Sequence, residues 1–215
     1  MSDSIPITIH VITKGNLVNR FGSEIGNLLA SNQSPIRADV RAYDGRWKSI
    51  GDGEKKLEAF SRGGMIIYAL GKLIDQAGMK HLGFIANQTC THEIVVNADW
   101  GKEAFRFTVM NQRLDEVASD LRAFIDWCRD NPGATSKEFR GEFGNDHSGR
   151  EFESVADLLD NVCPSLDPNR DICESDSWNA ALAFSVIKTI LELLDYARAE
   201  SCWIICEHWG GFESS

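Results

Sequence analysis

With 215 residues, 43% of them apolar and 25% charged, the chain is long enough to bury a proper core and has the balance of a soluble globular protein. Its formal charge of −10 is segregated: residues 1–110 carry a net +2, residues 111–176 a net −9 and the last 39 a net −3. An acidic half repels phosphates and argues against direct binding to nucleic acid; it favours plain solubility or attraction to a basic partner. The opening MSDSIPITIH has neither the basic start nor the apolar run of a secretory signal. Cys90, Cys128, Cys163, Cys173, Cys202 and Cys206 are therefore expected as free thiols in a reducing cytosol.

Ile5 to Thr13 alternates around β-branched residues and predicts a first strand. Leu17 to Ala30 follows with a helical pattern that places Leu17, Phe21, Ile25, Leu28 and Leu29 on one side. Gly22 and Gly26 weaken that helix and would let another backbone come close. Arg37 to Tyr43 suits a short strand, with Asp44-Gly45 as a turn. Residues 44–64 are glycine-rich and basic, an exposed loop with one short helix expected near Glu54–Phe60. Met65 to Ala77 predicts a largely buried helix ended by Gly78, and Lys80 to Ala86 a strand. Glu93–Asn97 and Ala104–Met110 suit the arms of a hairpin. In the second arm Phe105, Phe107 and Val109 alternate with Arg106 and Thr108, giving one dry face and one wet.

From Leu114 to Cys128 the period turns helical, and Asn131-Pro132-Gly133 stops it. Thr135 to Arg150 is polar, a short helix plus loop, and Ser154 is placed to cap a short helix running to Cys163. After an acidic loop, Ser177 to Glu200 is the dominant signal of the chain. Trp178, Ala181, Leu182, Val186, Ile190, Leu193 and Ala197 recur at three- and four-residue steps, and only Asn179, Lys188, Glu192, Asp195 and Ala199 are left for water. A helix that apolar is wrapped on several sides, while its charges make it a poor membrane span. Cys202 to Cys206 predicts a last strand. The expectation is one α+β domain over residues 1–215, strand-rich in 1–110 and helix-rich and acidic in 111–215. Its sheet should be mixed or antiparallel with about five to six strands, packed against helices around a central buried helix near 177–200.

Five features bear on chemistry. Cys90 with His92, and Cys206 with His208, are two C-x-H pairs whose thiolates and imidazoles are the ligand types zinc prefers. No C-x₂-C spacing supports them, and buried cysteines commonly serve as small apolar residues. Asp167, Asn169 and Asp171 match the opening of a calcium loop, but Ile172 stands where glycine is needed and Trp178 where a glutamate is needed. No nucleophile elbow or metalloprotease motif is present, and His147 sits alone on a polar loop. Ser61-Arg62-Gly63-Gly64 precedes a helix start, where backbone amides attract anions, although a tight turn explains the glycines equally. Finally Asp157, Asp160, Asp167, Asp171, Glu174 and Asp176 crowd into twenty residues with Arg170 as the only base.

That acidic crowding, with no catalytic signature beside it, favours a cytoplasmic protein-binding module, an inhibitor or immunity-type protein that neutralises a basic enzyme or toxin. In size and acidity only, the chain resembles toxin-immunity and anti-defence proteins. The alternatives are an enzyme with a scattered Cys/His site, zinc-dependent if the two C-x-H pairs meet, and a structural subunit that buries Trp47 or Trp209 in an oligomer. No cofactor other than zinc, no membrane and no nucleic acid are expected.

Overall fold

A computed structural model describes residues 7–31, 36–43, 51, 54–59, 65–85, 89–98, 101–141, 143–146, 148–164 and 179–213. Its centre is a sheet of six strands, β1 (Ile7–Ile12), β2 (Ile36–Val40), β3 (Lys55–Ala59), β4 (His92–Ala98), β5 (Gly101–Val109) and β6 (Trp203–Glu213). They lie in the order β2-β4-β5-β6-β1-β3. Only β2 and β4 run parallel; every other neighbouring pair is antiparallel, so the sheet is mixed.

Both faces of the sheet are covered. One face presents Ile12, Ile94, Phe105, Phe107 and Ile205 to α1 (Leu17–Phe21) and α2 (Ser23–Leu29). The other presents Ile7, Ile9, Val11, Leu57 and Ile204 to a larger helical layer. That layer holds α3 (Met65–Ala77), α4 (Leu114–Asp130), α5 (Pro132–Glu138), α6 (Val155–Asn161) and α7 (Ala180–Ala199). None of the described helices is long and apolar enough to cross a membrane.

The architecture is thus the expected α+β arrangement, and α7 is its central helix. Thirteen of its twenty residues are buried. It lies on β1, β3 and β6 and is flanked by α3, α4 and α6, which is why its sequence is apolar around most of its circumference. Its buried hydroxyls are satisfied: Ser185 Oγ donates to the Cys163 carbonyl and Thr189 Oγ1 to the Ser185 carbonyl. Two members of the expected wet strip are drawn inward. Asn179 is buried as the N-cap, its side chain accepting from the Leu182 amide. Lys188 is half-buried and donates to the Val162 carbonyl at the end of α6.

Several local expectations are corrected. The residues expected as a helix near Glu54–Phe60 form β3, which pairs with β1 and sets Leu57 opposite Ile9. A strand partner 44 or more residues away outweighs the local pattern there, in which Leu57 is the one large apolar residue between Lys55 and Ala59. Of the expected strand Lys80–Ala86, the described residues 80–85 are not a strand: Lys80–Leu82 is a 3-10 turn, and the Ile85 amide bonds the Leu82 carbonyl. Those short-range bonds satisfy the backbone while Leu82, Phe84 and Ile85 are driven wholly inside. The wet face of β5 is half-covered, because helices cover that side too. Pro132 stops α4 and also opens α5, where its missing N–H costs nothing.

The Leu17–Ala30 helix is broken into α1 and α2 at Gly22, whose φ of 83° suits glycine. Gly26 is what lets the two pieces fold together: a Cβ there would stand 2.8 Å from Val18 Cα and 2.9 Å from the Leu17 carbonyl oxygen. Alanine has a helix propensity better than glycine's by about 1 kcal/mol, but backbone atoms cannot yield to it. We therefore expect Gly26→Ala to destabilise by about 1–3 kcal/mol in urea unfolding. Gly15→Ala, with open space at its Cβ position, should stay near neutral.

Candidate functional site

A charged network lies inside the protein between the sheet and α1. Glu207 on β6 accepts from His10 Nε2 at 2.7 Å, and Arg20 on α1 donates to His10 Nδ1 at 3.3 Å. His10, Arg20 and Glu207 are all buried, and Phe21, Tyr43, Phe105 and Phe107 pack edge-on or stacked beside them. Burial works against the charged form of Glu207, yet the His10 bond and the Tyr43 hydroxyl outweigh it and hold the carboxyl below its ordinary value. His10 is pushed down, first by burial, with the Arg20 and Lys56 charges adding to it. A neutral imidazole therefore bridges a buried cation and a buried anion. With both ring nitrogens committed, His10 has none to offer a substrate, and the network is a structural clamp.

The two C-x-H pairs do not meet. His92 stands opposite Phe107, which stands opposite Glu207, so those three share the α1–α2 face. Cys206 and His208 flank Glu207 and therefore face the other way, into the α7 side. The His92 ring is already satisfied, with Nε2 donating to the Leu28 carbonyl at 3.1 Å and Nδ1 2.7 Å from the Thr91 hydroxyl. Cys206 Sγ and His208 Nε2 do meet, at 3.3 Å. Burial pushes that thiol well above its ordinary pKa and lowers His208 to about 4 against the opposing pull of the Phe84 backbone. The thiol is thus held in its protonated form, whereas a metal takes the thiolate; the neutral imidazole is the ligand form of histidine, so it is the cysteine that counts against a cation here. Among the described residues no three His, Cys, Asp or Glu side chains are placed to hold one metal ion.

Cys90 instead lines a surface cleft of about 270 Å³ where the ends of β4 and β5 approach the start of α4. Lys80, His81, Thr89, Arg113 and Val117 line it as well. Asp120 on α4 accepts from the His81 backbone N–H at 2.9 Å and holds the ring through Nδ1 at 3.1 Å. Gly83 lets the 3-10 turn that carries His81 close onto Thr89, since a Cβ there would lie 2.8 Å from Thr89 Oγ1. The Cys90 thiol is raised above its ordinary value by burial, which the nearby Arg106 charge does not overcome.

Of the six acidic residues singled out in the sequence, Asp157 and Asp160 are described, and both are engaged. Asp157 accepts from the Glu153 amide and from Arg150, fixing the start of α6, where Ser154 caps the Asp157 amide as expected. Asp160 pairs with Arg129 of α4 at 2.9 Å. Asp167, Asp171, Glu174 and Asp176 lie outside the described residues, as do the calcium-like triplet, His147, Ser61–Gly64 and Trp47. Trp209 falls in β6 opposite Phe105. The buried clamp and the His81–Asp120 pair were missed in the sequence. Their members are 10 to 197 residues apart, and the one available signal was a charged or polar residue (His10, Glu207) inside an otherwise apolar strand.

Two outcomes follow for stability. His208 stays neutral in the fold down to about pH 4, whereas an imidazole in the unfolded chain takes up its proton near 6.5. The unfolded state therefore binds more protons in that window, so stability is full above it and falls as pH drops from 6.5 towards 4. His10 and His92 are shifted in the same direction. Urea midpoints measured across this range should fall, and fall less steeply in His208→Phe. Glu207→Gln breaks the buried clamp and should cost about 3–5 kcal/mol at neutral pH, read by the same titration. Comparison with protein-family models, curated proteins and solved structures finds no match, so the reading of these sites rests on their own geometry.

Proposed function

We propose that the chain is a cytosolic interaction module, of the inhibitor or immunity type, that engages a basic protein through the acidic outer surface of its helical layer. The observation that carries this reading is the coincidence of charge with architecture. The segment with a net charge of −9 supplies α4, α5 and α6, which all belong to the helical layer on one side of the sheet. Some acids of this layer are neutralised at home: Asp115 of α4 and Asp195 of α7 pair with Arg198, and Asp126 and Asp160 with Arg129. Glu116, Asp130, Glu153, Glu192 and Glu200 are exposed and make no ion pair among the described residues. Exposed, unpaired charge of one sign steers an oppositely charged partner and keeps most of its solvation until contact.

The test is quantitative affinity purification from the host of origin, with the captured proteins identified by mass spectrometry at low and moderate salt. Partner capture should fall at least about tenfold in Asp167→Lys/Asp171→Lys/Glu174→Lys, and similarly in Glu116→Lys/Glu192→Lys/Glu200→Lys, whose side chains are exposed. It should weaken steeply with salt. A basic partner captured equally by wild type and both variants defeats the proposal.

A further inference from the structure

The cleft beside α4 carries an inference independent of the acidic surface. Two cations, Lys80 and Arg113, stand exposed at its rim, and neither makes an ion pair among the described residues. Two nearby carboxylates are committed elsewhere, Asp120 to the backbone and ring of His81 and Asp115 to Arg198, and the exposed Glu116 is not among the residues that line the cleft. Asp120 also bears on the His81 tautomer. With a carboxylate oxygen against Nδ1, this geometry accommodates the tautomer protonated at Nδ1, and that tautomer presents its Nε2 lone pair as an acceptor. His81 makes no other hydrogen bond among the described residues. The remaining wall adds no negative charge, because Cys90 is held as the neutral thiol and Val117 and the Thr89 side chain are uncharged.

We propose that this cleft binds a compact oxyanion that also carries an O–H donor, such as hydrogen phosphate or a small 2-hydroxy acid. Lys80 and Arg113 hold the anionic oxygens, and His81 Nε2 accepts the ligand hydroxyl. Arg113 supplies a planar fork of donors and Lys80 a point charge, a pairing suited to a phosphate or a carboxylate. Gly83 lets the turn that carries His81 pack closely on Thr89, and Asp120 holds the His81 ring in place, so this part of the cleft is set before a ligand arrives.

The experiment is isothermal titration of the full chain with inorganic phosphate, malate and succinate, the last lacking the hydroxyl of malate. A second readout is alkylation of Cys90 by iodoacetamide at about pH 8.5, near the ordinary thiol pKa, followed by peptide mapping. Cys163, which is exposed, is the internal reference. We expect phosphate or malate to bind, and whichever binds identifies the source of the oxyanion. At about ten times its Kd it should slow Cys90 alkylation about tenfold and leave Cys163 unchanged. Lys80→Ala/Arg113→Ala should weaken binding about tenfold or more; its thermal midpoint is checked, and His81→Phe serves as the single-site variant if the double variant unfolds. Absence of both heat and protection for all three probes up to about 10 mM overturns the proposal. So does binding that survives either variant. Equal binding of succinate and malate overturns the role given to His81.

Discussion

The fold depends on one constraint: α7 is apolar around most of its circumference, so every direction but the narrow strip of Glu192, Asp195 and Ala199 must be filled. β1, β3 and β6 fill one side, and α3, α4 and α6 fill the others. A fully buried Leu, Ile or Phe side chain contributes about 1.5–3 kcal/mol relative to exposure, and α7 buries Leu182, Phe184, Ile187, Ile190, Leu193 and Leu194. Phe184 stacks on Phe124 of α4 and tilts against Phe139 after α5. Ser185, Thr189 and Lys188 are tolerated on its covered side because each has a carbonyl to reach. Lys188 in particular ties the end of α6 to α7, and burial lowers its ammonium pKa, first among the causes.

The sheet acts as a wall between two chemistries. On the α1–α2 side lie the charged clamp and its aromatic surround; on the α7 side lie the neutral Cys206–His208 pair and the main apolar cluster. Alternation along β6 sends Glu207 one way and its two neighbours the other, and this is what keeps the Cys and His residues from gathering. The accessible groups are instead at the strand ends, where β4 and β5 meet α4. Catalytic and binding residues commonly stand at such junctions, carried by rigid elements yet open to solvent.

Long periodic segments were legible in the sequence. α7, α3, α4 and the β4–β5 hairpin carry enough repeats of their period for local pattern to decide. Even the role of Gly26 was readable, since a small residue one turn from Gly22 signals close backbone approach. What failed was whatever depends on a distant partner. β3 has Leu57 among Lys55, Lys56 and Glu58, and only pairing with β1 makes it a strand. Leu82, Phe84 and Ile85 alternate imperfectly, and a turn buries them as well as a strand would. The acidic run was legible as composition, but not which acids are neutralised: the pairing of Asp160 with Arg129 or Asp115 with Arg198 is tertiary. The cleft was invisible for the same reason, since His81 and Asp120 are 39 residues apart.

The position of β6 has a consequence for how the protein is made. It is inserted between β5 and β1, yet it leaves the ribosome after every other described strand. Until it arrives, β1 and β3 form one fragment of sheet and β2, β4 and β5 another, with no ladder joining them. Each fragment then has an open edge at the place β6 will occupy, and such edges recruit other strands. The pairing of Ile7 with His208 closes a loop of about 200 residues, the kind of contact that forms late. A nascent chain therefore passes through a long period in which it holds most of its apolar residues but cannot complete its core, the stage at which a chaperone has the most to protect.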